Sequence, residues 1–462
     1  MGMLSYIHIE QGDDDIESAA LREYIEKSET GHLNFPILTK KLYQSGKYKY
    51  MWLSPNNKSQ LWDAMMLLDC VVQYGLLPKS YHPTELTYSN LNLITEDTIL
   101  SNFLPQKAAT DVLLTDALLT FMFHLHFGKF NPGISSADVD KENYSGFRID
   151  SALKYALNSG PNFTQTVLAV QPQNKEYLDL QAYLKLITHQ YSGDCYTISQ
   201  DTAKLIAVNL ERFRWHHSTD SPEYIDINIP SFTLKYIKGK KEEAFKVIVG
   251  KPSNPTPLLR SKIGFFTTGP DWTVPPKIFR NELLPKAIAN PKYLEENNFA
   301  IYKRDGSIIP PTSENLKLIK KNPSNYYARQ SAGCDNALGK IVFNFENRYN
   351  VYLHDTPDRS LFKKENRALS HGCIRVENPE KLVKLLLDAG RQQNTYSTVI
   401  NSMRMYRKFR YTMKKPVPII IRYTTCELKA GSLIKYPDLY SRDKQLINSL
   451  FAQGTHLYPI SN

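Results

Sequence analysis

Two hydrophobic periods divide the chain. Through residues 15–215 apolar side chains recur every three or four positions, the repeat of helices with one buried face. In 61–76, Leu61, Ala64, Met65, Leu68, Val71 and Val72 fall on one stripe, and Gly75 sits where a helix would end. Segments 110–127, 177–189 and 201–215 read alike, the last turning Leu205, Val208, Leu210 and Phe213 toward a core. After Trp215 the period shortens to two. Tyr224, Ile225, Ile227 and Ile229, then Phe232, Leu234 and Tyr236, then Phe245, Val247 and Val249 form short runs divided by Pro230, Gly239-Lys240 and Gly250, the pattern of strands.

Further strands are expected at 341–345, 349–353 and 417–423, with a helical stripe at 379–389 ended by Gly390. The fold class is therefore α+β. A helical domain over 15–215 is followed by a β-rich domain over 216–425 and a C-terminal tail over 426–462, with the boundary near residue 216. Inside the β-rich domain, polar, Pro-punctuated sequence with short helical pieces at 285–289 and 292–297 predicts a lid or subdomain over 275–330, since a connection of this length rarely lacks structure of its own.

Composition narrows the partners. With 462 residues and 42% hydrophobic positions the chain can bury real cores, which excludes a disordered protein. The net charge of +11 suits an anionic partner, nucleic acid or an envelope polymer. The basic residues are spread out and no zinc-finger spacing occurs, which argues against nucleic acid. The most apolar stretch, 112–127, is broken by Asp116, His124 and His126 and falls short of the roughly 18 apolar residues of a membrane span. His124 and His126, two apart on a helix, splay away from each other and make no metal pair; His216 and His217 read as surface residues after a helix end. The start MGMLSYIHIEQGDDD lacks the basic and apolar regions of a secretory signal, so the expectation is either a cytoplasmic protein or a trimmed mature form. Five scattered cysteines, Cys70, Cys195, Cys334, Cys373 and Cys426, do not make a disulfide scaffold.

One of these cysteines carries chemistry. Tyr352-Leu353-His354-Asp355-Thr356-Pro357 is followed by Ser370-His371-Gly372-Cys373-Ile374-Arg375, placing a histidine at a strand end 19 positions before a cysteine flanked by small and basic residues and leading toward a helix. A thiol reacts as the thiolate, favoured by a neighbouring cation or helix N-terminus. Two-residue spacing in extended chain would put His371, Cys373 and Arg375 on one face. Gly372 opens the backbone beside the sulfur, so the amides of Gly372 and Cys373 are candidate oxyanion donors, with the Tyr352 hydroxyl a further one. His354 is the candidate general base. Asp355, adjacent on the strand, points to the opposite face, so a backbone carbonyl is the expected acceptor for His354, with the Asp355 carboxylate as the alternative. Three zinc ligands in His354, His371 and Cys373 would need a fourth that no recognised spacing supplies, and a buried structural Cys373 is the other alternative. No metal or cofactor is expected.

The whole stretch resembles the signature of the L,D-transpeptidases with the YkuD catalytic domain. The flanks extend the likeness toward the large YcbB-like subfamily: Val249-Gly250-Lys251 with Thr256-Pro257, Trp272 and the residues after it, Arg329-Gln330, 336–339, 418–423 and 438–443. In the helical half 74–78 with Tyr81, 127–129 with Pro132 and 208–215 resemble that subfamily's scaffold domain. Many such relatives carry a peptidoglycan-binding insert where only about a dozen residues, 190–201, stand here, so that insert is taken as missing.

The resemblance implies a cell-wall enzyme with Cys373 as nucleophile and His354 as base, forming 3-3 crosslinks through a thioester with release of D-alanine from a tetrapeptide stem. It implies stem peptides as donor and acceptor, acylation of Cys373 by carbapenem-type β-lactams, and a periplasmic or envelope location. Ser370, His371 and Arg375 match motif positions that shape the nucleophile loop; Trp272 would wall the cleft and Arg329 would meet a stem carboxylate. Hydrolysis by the same cysteine, as an L,D-carboxypeptidase, and a non-catalytic wall-binding scaffold are the alternatives. A disulfide among the other cysteines would suit an oxidising envelope.

Overall fold

The computed structural model describes residues 10–27, 32–96, 103–188, 199–215 and 221–451. The domain boundary near 216 with His216 and His217, most of the 190–201 joining segment, and Cys195 lie outside them. The chain forms two compact units, one of residues 1–218, 425–435 and 441–462, the other of 219–424 and 436–440.

The helical unit is built around Leu104–Phe127, a 24-residue helix that is apolar on nearly every side and 94% buried along its most apolar 18-residue window. It is long and apolar enough to cross a membrane by length and composition, and its burial in this unit makes it a core helix. Two carboxylates explain its polar interruptions. Asp111 accepts the backbone N–H groups of Met51, Trp52 and Leu53 and the Tyr43 hydroxyl; Asp116 accepts Phe35 N–H and lies 2.7 Å from His82 Nε2. Burying an ionisable group is tolerated when its oxygens are filled in this way. His124 Nδ1 meets the Tyr81 hydroxyl and His126 Nδ1 the Val170 carbonyl, so each is absorbed into the core separately. The 61–76 stripe becomes the helix Lys58–Asp69 and a 3-10 turn Val71–Tyr74, closed by Gly75 at φ +70, against which a Cβ would strike Ala207.

The expected C-terminal tail is not a tail. Residues Cys426–Lys429 and Ser432–Lys435 pair as a hairpin, Arg442–Leu450 is helical, and Cys426, Leu446, Leu450 and Phe451 enter the core of the helical unit beside Tyr177, Leu180, Ala207 and Leu210. In sequence the segment reads as a tail because it lies beyond the last expected strand, yet its apolar residues pack against Gln200–Trp215. Residues 436–440 belong instead to the other unit.

That unit is a nine-stranded sheet. Its strands are β1 (Glu223–Asn228), β2 (Thr233–Lys238), β3 (Lys241–Gly250), β4 (Leu259–Thr268), then, after four lid strands, β9 (Ile341–Phe345), β10 (Leu353–His354), β11 (Ala368–Ser370), β12 (Ile374–Val376) and β13 (Phe409–Arg422). The lid strands are β5 (Trp272–Thr273), β6 (Phe299–Lys303), β7 (Ile308–Ile309) and β8 (Tyr326–Gln330). The main sheet runs β11-β3-β12-β10-β9-β4-β13-β1-β2, and β2 also pairs with β3, so the sheet closes on itself. Closure comes from the length of β3: one edge pairs with β2 through Thr233↔Lys246 and then with β11 at Ala368↔Val249, and its other edge meets β12 at Arg375↔Ile248. The inward residues Ile225, Ile227, Leu234, Val247, Val249, Ile263, Phe266, Phe343, Leu353 and Ile374 make one core, covered by the helix Pro379–Ala389 through Leu382, Val383 and Leu386. Alternation dictates this in β2, whereas β1, β9 and the end of β3 are buried on both faces.

The insertion is a small body of its own. β5, β8, β6 and β7 form a four-stranded sheet in that order, and Val274, Phe279, Leu283, Leu284, Leu294, Ile301, Leu316 and Ala328 bury a separate core.

Candidate active site

The candidate nucleophile sits where three strands meet. β10 pairs in parallel with β12, with Leu353 opposite Ile374 and His354 opposite Arg375, and Ile374 N–H donates to the Tyr352 carbonyl at 3.1 Å. One step earlier in this register, Tyr352 stands beside Cys373. Side chains alternate along a strand, so His354 and Arg375 share a face, and Tyr352, two before His354, shares it as well. The Tyr352 and His354 rings meet edge to face at 5.7 Å.

The expected common face of His371, Cys373 and Arg375 is corrected at His371. Gly372 takes φ +112, which turns the chain between His371 and Cys373, and residues 371–373 form a bend rather than a strand. His371 Nε2 points to the lid, 2.6 Å from Glu282 Oε1. The cysteine leads into β12 and not into a helix, so no helix N-terminus acts on the sulfur.

The bend is held from several sides. Ser370, 1% exposed, donates from Oγ to the Cys373 carbonyl and accepts Gly372 N–H at 3.2 Å. This withdraws the Gly372 amide from the expected oxyanion pair, because its hydrogen is already spent on Ser370. Thr256, fully buried, donates from Oγ1 to the Gly372 carbonyl at 2.9 Å and accepts Gly250 N–H at 2.9 Å. Tyr440 donates to the Gly250 carbonyl at 2.7 Å and accepts Thr256 N–H at 3.2 Å. A Cβ on Gly250 would lie 2.2 Å from the Asn254 carbonyl oxygen, so only glycine fits there. Thr256 and Tyr440 stand in the flanking sequence already picked out; what was not legible was that they brace the nucleophile loop.

The electrostatics favour neutral partners at rest. Burial pushes the Cys373 thiol up, and the Tyr352 backbone N–H, the Tyr352 hydroxyl and the Arg375 guanidinium pull it back in part. Burial first, and then Arg375, lower His354 to about 3, with the carbonyls of Asp355 and Leu338 opposing that shift. His354 Nδ1 lies 2.6 Å from the Asp355 carbonyl oxygen. The Asp355 carboxylate faces elsewhere: Oδ2 accepts Lys340 N–H at 2.9 Å and Oδ1 pairs with Arg359 at 2.7 Å, with Gly339 pressed against it. Burial raises the Tyr352 hydroxyl, and the neighbouring thiol adds to this. The Cys373 thiol raises the Tyr352 hydroxyl and Trp272 lowers it, so both side chains stand near that hydroxyl. Burial lowers Arg375, Asp358 and Cys373 oppose this, and Arg375 Nε is buried without a hydrogen-bond partner.

Trp272 thus stands near Tyr352, whereas Arg329 turns away from Trp272. β5 pairs with β8 so that Trp272 stands opposite Gln330 and Thr273 opposite Arg329, placing Arg329 on the other face of the lid sheet, exposed and over the Tyr302 ring at 5.7 Å. Among the described residues no group of three or more His, Cys, Asp or Glu is arranged to hold a metal, and Cys70, Cys334, Cys373 and Cys426 are free thiols. No disulfide joins any of these described cysteines.

Residues 222–419 match the family model described as an L,D-transpeptidase catalytic domain, and residues 38–184 match one described as a scaffold domain. The chain is 30% identical over 429 residues, 90% of its own length and 80% of the relative's, to a protein of Haemophilus influenzae named "Putative L,D-transpeptidase". Taken with the closed sheet that sets Cys373 beside Tyr352, two residues before His354, these matches show that the chain belongs to the cysteine-dependent L,D-transpeptidase family, with a YkuD-type catalytic domain and a helical scaffold domain.

Proposed function

We propose that the protein is a peptidoglycan L,D-transpeptidase of the YcbB-like group that forms 3-3 crosslinks. The observation that carries this reading is the register that sets Cys373 beside Tyr352, whose ring meets that of His354, with His354 Nδ1 turned to a backbone carbonyl. A carbonyl acceptor fixes the tautomer with the proton on Nδ1 and leaves Nε2 as the base. Because thiol and imidazole are both neutral at rest, the thiol loses its proton to His354 as the sulfur attacks the carbonyl of the third stem residue. The Tyr352 hydroxyl and Arg375 favour the thiolate, and the Cys373 amide with the Tyr352 hydroxyl are the oxyanion donors that remain after Gly372 is committed to Ser370. The His354 proton leaves on the amine of D-alanine, giving a thioester. An acceptor stem amine then attacks, its proton passing to His354, and the thiolate is expelled and reprotonated.

The lid supports transfer over hydrolysis, since a cover over the thioester limits water while an amine binds. The substrate supports a periplasmic or envelope location, and carbapenem-type β-lactams are expected to acylate Cys373 by the same attack. L,D-carboxypeptidase activity is the second reading, favoured by nothing beyond the shared thioester.

The test is mass spectrometry of products after incubation with disaccharide-tetrapeptide. Crosslinked dimer that vanishes in Cys373→Ala supports the transpeptidase. Tripeptide without dimer moves the reading to the carboxypeptidase, and wall binding without any product moves it to a scaffold.

A further inference from the structure

The lid reaches the site at two points. One is Trp272, which stands near the Tyr352 hydroxyl; the other is Glu282, whose Oε1 lies 2.6 Å from Nε2 of His371, two residues before the nucleophile. Nothing in the transfer chemistry above uses this second contact.

The local backbone is built to make it. Residues 276–289 run as one helical stretch, but Phe279–Leu283 is a π turn in which Leu284 N–H reaches the Phe279 carbonyl, five residues back. Pro285 follows and has no N–H to offer the Asn281 carbonyl, which removes the ordinary four-residue bond and accounts for the widened turn. Such turns shift the helix face by part of a residue, and they recur at functional sites. Phe279 and Leu283 stay in the lid core, 2% and 5% exposed, while Glu282 between them is released toward the nucleophile loop. On the other side, the positive φ of Gly372 aims His371 at the lid. Two unusual backbone features, one on each partner, therefore converge on a single hydrogen bond.

We propose that Glu282 is a positioning residue for the transfer reaction: by holding His371 it ties the lid to the nucleophile loop, so that lid closure and loop geometry are set together. This rests on the transpeptidase reading for its substrate but not for its geometry. The bond acts on water access and on the stance of Cys373, and Glu282 touches neither thiol nor stem peptide.

The experiment uses the full chain as wild type, Glu282→Ala, Glu282→Gln, His371→Ala and the double variant Glu282→Ala/His371→Ala, all checked for an unchanged melting temperature. Alkylation of Cys373 by iodoacetamide without substrate reports access and loop geometry; dimer and tripeptide yields from disaccharide-tetrapeptide report transfer against hydrolysis. Glu282→Ala is expected to alkylate about three- to tenfold faster, the range of one charge-assisted contact at a part-exposed site, and to raise the hydrolysed share of product. Glu282→Gln keeps an oxygen acceptor for His371 and is expected to recover most of the wild-type behaviour. The double variant is expected to match its stronger parent, since both changes remove one bond. Wild-type alkylation and product ratio in Glu282→Ala, or additive effects in the double variant, would overturn the proposal. If wild type yields no product from the muropeptide, the transpeptidase reading fails while the alkylation comparison still decides the role of Glu282.

Discussion

At the scale of single residues, a thiol raised by burial and an imidazole lowered to about 3 describe a resting pair without charge separation. Alkylation of the free enzyme is therefore expected to rise with pH through a midpoint above the ordinary thiol value of 9. Tyr352→Phe removes the hydroxyl that pulls the thiol back down, so the midpoint is expected to move further up and kcat/KM to fall roughly tenfold, about the worth of one pKa unit. The rate of iodoacetamide labelling against pH checks the first and steady-state turnover the second. Asp355 makes a sharper case. Its carbonyl holds His354 whereas its carboxylate holds Lys340 N–H, so Asp355→Asn is expected to keep turnover within a few fold while costing about 1 to 2 kcal/mol of stability. A collapse of kcat with an unchanged melting temperature would assign the carboxylate to catalysis instead.

At the scale of elements, the C-terminal helix Arg442–Leu450 is held to Gln200–Trp215 by Arg212 and Asp443, whose side chains are 6% and 11% exposed. Removing one partner of a buried pair leaves the other charge without compensation, so Asp443→Ala is expected to destabilise the helical unit by about 3 kcal/mol, read by denaturant unfolding. A solvated tail would lose almost nothing. The five residues that follow the hairpin, 436–440, work differently: Tyr423 donates to Asp438 and accepts Tyr440 N–H, which positions the Tyr440 hydroxyl on Gly250 behind the nucleophile bend. A short return of chain thus braces a loop more than sixty positions upstream.

At the scale of the whole molecule, each unit carries a buried histidine that folding keeps neutral. His124 is lowered well below its ordinary value by burial, with Lys129 and Arg214 adding to it, and His354 is lowered to about 3. In the unfolded chain both take a proton near 6.5, so between that pH and their folded values the unfolded state binds more protons. Stability is then expected to be flat above about 6.5 and to fall on acidification below it, at up to roughly 1.4 kcal/mol per pH unit for each group. His124→Gln is expected to remove the share of the helical unit. Equal slopes for the variant and wild type in denaturant unfolding between pH 7 and 5 would refute this.

Periodicity made most of the elements legible. The short apolar runs of the β-rich unit become strands, the 379–389 stripe is a helix, and the lid stands out because its polar sequence interrupts those runs, whereas the run at 349–353 is strand only at Leu353–His354. The Cys373 and His354 motif was legible because a thiol nucleophile needs a base and a small neighbour, and that need leaves a local spelling. Local sequence also favoured a carbonyl partner for His354 over its own strand neighbour, since adjacent side chains diverge. Tertiary structure decided whatever depends on chain segments meeting from a distance. It closed the sheet through both edges of β3, drew 425–435 and 441–451 into the helical core, sent Arg329 to the far face of the lid, and spent the Gly372 amide on Ser370. It also brought Glu282 to His371 across 89 positions. The physical reason is that periodicity records which face of an element is buried, whereas a hydrogen bond between remote elements depends on how those faces are brought together, and on turns such as Gly372 and Pro285 whose spelling reveals a bend but not its target.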